Sequence, residues 1–278
     1  MRKMNGGKEG NIMIRKSRAI VYCFGAYLLW EVLGFLAQFL LESLFPTLQE
    51  MWLGNYIFND IADLIIFIVC FLVLGRHLYQ IQREKMYFLG IALLPVYVSV
   101  LETIYIIITG KAAYRVFSPD FAKLFLILII TAVMIGICEE FIWRRVIFSK
   151  LLQAWQASAK GVYGAVIVSS VLFGLCHYMN MLYGGQSFQQ TTNQVINAVC
   201  MGVFLAGLYY RFGRMIVPIG IHFISDFSNL FMNEVLNYTY DLPRIDSFLS
   251  VIVPVLYVVI GLYSVRTSEK YKELMEKS

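Results

Sequence analysis

Charge is what this chain is short of. Charged residues make up 15% of its 278 residues and hydrophobic ones 59%, where a soluble domain carries about 25% and about 45–50%. That balance excludes an ordinary soluble domain. No long polar stretch divides the chain, so one compact membrane domain is expected. The net charge of +5 comes from short basic clusters between apolar runs, which reads as a topology signal and against a nucleic-acid partner. The five cysteines, Cys23, Cys70, Cys138, Cys176 and Cys200, lie within apolar runs and form no CxxC pair. They read as small buried hydrophobes. No cleavable signal peptide is evident: the first apolar run exceeds the roughly 7–15 residues of a signal core, so a retained span is expected. Histidine is scarce too, with only His77, His177 and His222.

What is present is a series of apolar runs, each near the ~20 residues needed to cross a bilayer. Spans are expected at 18–44, 56–75, 87–109, 121–150, 162–183, 192–210, 214–234 and 246–265. The class is an all-α polytopic membrane protein with about eight transmembrane helices. Residues 1–17 read as a basic N-terminal tail, 18–265 as a single membrane domain and 266–278 as a C-terminal tail of alternating charge. Lys and Arg set the orientation. Arg76, Arg83 and Lys85, then Lys150 and Lys160, then Arg211 and Arg214, then Arg266, Lys270 and Lys272 all fall on the side of the basic N-terminal tail. The opposite connections at 45–55 and 184–191 have none, and Lys111 and Arg115 are the exception. Both termini are therefore expected in the cytoplasm, with the chain in a plasma membrane.

The polar residues inside these runs carry the functional argument. Glu139 and Glu140 follow the apolar run 124–137. A carboxylate in hydrocarbon costs several kcal/mol, roughly 2.5–3.5 on insertion scales. It persists when paired, when it faces an internal water cavity, or when it does chemistry. Glu140 and Arg144 are four apart and can pair. Glu139 points about 100° away, free to face something else. Phe173 and His177 share a helical face, as do His222 and Asp226, with Asn229 three further on. At ~1.5 Å per residue, Glu139 lies about 16 Å, His177 about 22 Å and His222 about 12 Å from the expected cytoplasmic ends, so all three fit one layer near the midplane. Glu31, Asp60, Asp63 and Glu102 add polar groups that read as interhelical partners, interfacial residues or substrate contacts. His77, in a loop beside Arg76, carries no role.

One Glu and two His can activate water as general bases. They can also hold Zn²⁺ through Glu139, His177 and His222 and leave a position for water. A His can donate to an oxyanion. A purely structural polar network remains the alternative on spacing alone. HExxH, GxSxG, GxGD and Walker signatures are all absent, which argues against the site-2, rhomboid and presenilin types of membrane protease.

The motifs EExxxR, FxxxH and HxxxN/D occur here in order. They read Glu139-Glu140-Phe141-Ile142-Trp143-Arg144, Phe173 to His177, and His222 to Asp226. In these motifs the chain resembles the CPBP family, which includes the CAAX prenyl proteases and the bacterial Abi proteins. The resemblance covers about 121–235. It implies an intramembrane endopeptidase with a cavity open toward the cytoplasm, acting near the cytoplasmic leaflet on a peptide or membrane-associated protein. It implies that Glu139 and His177 activate water, that His222 and Asp226 serve the oxyanion, and that Glu140 and Arg144 are structural. Phe173 and Asn229 are expected at the substrate cavity. Asp226 stands where the eukaryotic members have Asn. An ionised Asp only accepts hydrogen bonds, so it is expected to orient His222. The family's metal dependence is disputed, and the reading here leans against a tightly bound zinc. Bacterial relatives suggest bacteriocin self-immunity or peptide maturation. A proton- or cation-coupled transporter and a non-catalytic immunity or scaffold protein are the rival readings.

Overall fold

Lipid offers the backbone no hydrogen-bond partners, so apolar runs of this length must close their hydrogen bonds within helices. The computed structural model describes residues 5–49, 53–75, 78–108, 120–183, 186–235 and 245–276, and no strand occurs among them. The long helices are α1 (Asn5–Leu44), α2 (Gly54–Leu74), α3 (Leu94–Ile108), α4 (Phe121–Glu140), α5 (Ala159–Cys176), α6 (Phe188–Phe212), α7 (Ile216–Glu234) and α8 (Ile245–Thr267). His77, Arg76, Lys111 and Arg115 lie outside the described residues.

Each expected span falls on one of these helices, but not all of them qualify as crossing helices. Among the described residues, five stretches are long and apolar enough: Ser17–Leu44, Gly54–Leu74, Phe121–Trp155, Ala159–Met181 and Phe188–Phe212. A sixth counts if Val251–Thr267 and Glu269–Glu276, bent by 56°, form one span. In the region expected as a third span, α3 has only 15 residues. In α7, His222, Asp226 and Asn229 dilute the apolar character. α1 begins at Asn5 and so runs through most of the stretch read as a tail. Once a span is helical, elongation adds a hydrogen bond per residue and needs no new nucleus.

Helix ends are set by local chemistry. The Ser158 hydroxyl accepts from Gly161 N–H and starts α5. Ser187 and Gln190 form a reciprocal capping box at the start of α6. Gly213 ends α6 with φ 61°, a conformation only glycine adopts without strain, and a Cβ there would lie 2.6 Å from the Ile81 carbonyl oxygen.

α4 does not stop at Glu140. It continues as a π-helix over Phe141–Phe148 and then as Ser149–Trp155. In the π segment, Phe141, Ile142, Trp143, Arg144, Val146, Ile147 and Phe148 are all buried. Wider helical turns of this kind recur at functional sites. The Ser149 hydroxyl donates to the Arg144 carbonyl five residues back, at 3.0 Å. Arg145 turns away and donates to the Tyr79 carbonyl at 2.9 Å.

α4 packs against α2 and α7, α5 against α6, and α6 against α8. Small residues allow the closest crossings. A Cβ on Gly136 would sit 3.2 Å from the Ile219 carbonyl oxygen, so α7 lies directly on α4 one turn before the Glu pair. A side chain on Gly207 would run into Gly261, fixing α8 on α6.

The short connections at 156–158 and 213–215 lie at the same end as the start of α1 and the end of α8. Cys23 of α1 reaches the Ile147 carbonyl at 3.6 Å, Lys150 lies over the Tyr22 ring at 5.0 Å, and Tyr271 packs edge-on against Tyr163 at 5.5 Å. This is the terminus end of the bundle. The end of α1, the start of α2, the end of α5, the start of α6 and the end of α7 mark the far end.

Candidate active site

The helical faces anticipated from spacing meet around one cavity of about 600 Å³. α4 gives it Thr131, Ile135, Glu139 and Trp143, and α7 gives His222, Asp226, Asn229 and Leu230. Both sets recur at three or four residues, so each is one helical stripe. Cys176 and His177 enter from the end of α5.

His177 is held by its own helix end. Its Nδ1 lies 3.0 Å from the Phe173 carbonyl oxygen. A carbonyl only accepts, so Nδ1 is the donor in this contact and, in the neutral ring, Nε2 is the nitrogen left to accept. That is the tautomer a general base needs. Glu139 stands on the cavity wall with its side chain 27% exposed, and its Oε2 has no hydrogen-bond partner among the described residues.

Behind this wall lies a buried polar cluster. The Glu140 side chain is fully buried, and its Oε1 accepts from His222 Nδ1 at 2.7 Å and faces Arg144 Nη1 at 3.0 Å. Neither terminal nitrogen of Arg144, nor Glu140 Oε2, makes a well-aligned hydrogen bond among the described residues. The Arg144–Glu140 attraction is therefore mainly Coulombic, in a setting where water does not screen it. His222 Nε2 lies 3.3 Å from Asp226 Oδ2 and 3.7 Å from Glu139 Oε2. One imidazole thus joins both members of the Glu pair to Asp226. The 2.7 Å contact between Glu140 and His222 escapes sequence reasoning, because it joins residues 82 positions apart.

Phe173 requires a correction. It was expected at the substrate cavity, but its ring is 2% exposed and lies behind the cavity wall. The Arg144 guanidinium stacks on its face at 4.3 Å. Trp143, His177 and His222 meet it edge-on at 5.7, 5.2 and 5.9 Å. Phe173 is the apolar spacer that sets the two histidines and the arginine about one ring.

The course of the cavity through the bundle can be followed from its lining. From the Glu139–His222 level it continues to Gln38 near the end of α1, Tyr56 and Asn59 near the start of α2, Asn180 beyond α5 and Gln194 near the start of α6. All of these belong to the far end. Toward the terminus end the way is closed by the buried π segment and by Leu151, Leu152, Val162 and Val166.

Among the polar residues of open role, Glu31 and Asp63 line the same cavity, while Asp60 accepts from the Thr131 hydroxyl at 3.1 Å. Glu31 accepts from the Tyr27 hydroxyl, and the Tyr27 ring packs on Trp143 at 5.8 Å. The sequence did hold a signal for this wall: Glu31 and Gln38 are seven apart, and Asn59 and Asp63 four apart, each pair on one helical stripe.

Among the described residues, no three His, Cys, Asp or Glu side chains converge where a metal ion would sit. Glu139, His177 and His222 share the cavity, but of these only Glu139 and His222 lie within ion-pair distance, at 3.7 Å. The set does not fit Zn²⁺ in this arrangement, and no step below passes through it.

Residues 121–228 match the family model described as type II CAAX prenyl endopeptidase Rce1-like. The match runs from the first residue of α4 past Asp226 and takes in all three motifs. It supports assignment of the chain to the CPBP family of CAAX-type proteases, an intramembrane peptidase family. No curated protein and no solved structure matches.

Proposed function

We propose that this chain is an intramembrane endopeptidase in which Glu139 and His177 activate a water molecule against a peptide carbonyl. The observation that carries the reading is the shared cavity. Glu139 and His177 line one cavity, and His222 stands beside them with both ring nitrogens positioned by carboxylates. A water between Glu139 and His177 loses a proton to one of them as its oxygen bonds to the carbonyl carbon. The carbonyl π pair moves to oxygen. With Nε2 protonated, His222 is the donor available to that oxyanion. Glu140 holds the ring from behind, and Asp226 aligns Nε2. Collapse of the adduct breaks the C–N bond, and the proton taken from water passes to the departing amine. General acid–base help of this kind contributes about 10²–10⁴-fold.

The substrate is a peptide or a membrane-associated protein. The biological settings that suit the activity are bacteriocin self-immunity and maturation of small exported or signalling peptides, in a bacterial plasma membrane. The test compares peptides from membranes and medium of cells expressing the wild type, Glu139→Ala or His177→Ala at matched levels. A peptide found only with the wild type supports the reading and identifies the client. Identical peptide profiles, with a phenotype that survives Glu139→Ala, would replace it with a non-catalytic immunity or scaffold role.

A further inference from the structure

A second cavity, of about 600 Å³, shares no residue with the Glu139–His177 cavity; Tyr163, Arg266, Tyr271, Lys272, Met275 and Glu276 line it. It lies where α8 ends. The chain bends there by 56° and continues as the helix Glu269–Glu276. The bend is fixed locally: the buried Ser268 hydroxyl donates to the Val265 carbonyl at 2.8 Å and accepts from the Tyr271 N–H at 3.2 Å. One side of the short helix is anchored, because Lys270 Nζ donates to the Gln82 and Arg211 carbonyls at 2.8 and 2.7 Å. Tyr271 and Met275 are four apart, as are Lys272 and Glu276, so the cavity takes the other side of that helix.

The lining has the chemistry of an anion site. It holds two cations and one carboxylate. Arg266 and Lys272 are exposed and belong to no ion pair among the described residues. The Tyr163 and Tyr271 hydroxyls bond to each other, which leaves one O–H to donate outward. Position indicates which anion. Earlier on α8, Val251, Val255, Val259 and Tyr263 recur every four residues and are each more than half exposed. Lipid tails are as apolar as these side chains. Arg266 follows three residues after Tyr263. One helix thus offers an apolar track and then a cationic pocket, in the order of acyl chain and phosphate in a phospholipid. Basic pockets beside membrane helices hold such head groups.

We propose that this cavity holds the phosphate of an anionic phospholipid between Arg266 and Lys272, with an acyl chain along the α8 stripe. The site is independent of the peptidase reading.

The test offers the purified full chain, in mild detergent, an equimolar mixture of phosphatidylglycerol, phosphatidylethanolamine and phosphatidylcholine with matched acyl chains. Native mass spectrometry counts the lipid retained. Phosphatidylglycerol should exceed each of the others by about 5–30-fold, the scale for one to two basic residues at a lipid surface. Arg266→Gln/Lys272→Gln should erase that preference, and Lys272→Glu alone should reduce it. Arg83→Gln/Arg214→Gln removes the same charge at two other exposed positions and should leave the preference intact. Inorganic phosphate in excess should not displace the lipid. No phosphatidylglycerol preference in the wild type, or an equal loss in the two double variants, overturns the inference. Displacement by phosphate also overturns it, in favour of a soluble anion. Cleavage does not enter the readout, so any of these failures leaves the peptidase reading untouched.

Discussion

Arg144 is the residue on which the buried half of the site can be tested most sharply. Its side chain is 2% exposed, and it pairs with a Glu140 that is fully buried. It also stacks on Phe173 at 4.3 Å. Arg144→Met keeps most of the apolar stem and deletes the charge. Glu140 then keeps only the His222 hydrogen bond, and an uncompensated buried carboxylate costs about 3–5 kcal/mol. The lost guanidinium–ring contact adds to this, since desolvated cation–π pairs are worth about 2 kcal/mol. Removing both charges is a different case, because replacing a whole buried pair by neutral groups is often close to neutral. Glu140→Gln still accepts from His222 Nδ1 through its amide oxygen. The double variant Glu140→Gln/Arg144→Met should therefore be more stable than Arg144→Met alone. Unfolding in mixed micelles of a mild detergent and increasing dodecyl sulfate measures all four corners of the cycle. A loss below about 1 kcal/mol for Arg144→Met, the size of an exposed pair, would refute the reasoning. So would a double variant no more stable than the single one.

Glu139→Gln should retain wild-type stability in the same assay and lose peptide cleavage by about 10²–10⁴-fold, the scale of general-base help; marked unfolding would mean the carboxylate holds the fold. Asp226→Asn should keep cleavage, since an amide oxygen still accepts from Nε2, while Asp226→Ala should lower it; full activity in Asp226→Ala would remove Asp226 from the site. Phe173→Ala should destabilise by about 3–5 kcal/mol, as for other buried aromatic truncations, and a near-neutral result would show that the ring is not the spacer described. Burial pulls the Lys270 ammonium down to about 8, against the partial support of Glu84 at 3.5 Å. Its unfolded value is near 10.4, so the unfolded chain binds more protons between those values and stability should rise with pH across that window. Lys270→Met should flatten that rise in pH-resolved unfolding, and an unchanged slope would assign it to another group.

The sequence by itself determined the all-helical membrane class, the eight helical positions and which polar residues share a helical face. Long apolar runs leave a chain no choice but helix in lipid, and acids or histidines within them are costly enough to mark a site wherever they occur. Three- and four-residue spacing also announced the Glu140–Arg144 and His222–Asp226 pairs, because those contacts lie within one helix. Only the tertiary structure decided what lies between helices. It set Glu140 against His222, which no local spacing encodes. It hid Phe173 behind the wall, because Arg144 and both histidines crowd its ring. It also showed that the polar stripes of α1 and α2 face Glu139 and lead away from the termini. Helical periodicity fixes which residues share a face, whereas the rotation and order of the helices fix what that face meets and toward which end it opens. Those depend on close packing at residues such as Gly136, where α7 comes to rest on α4.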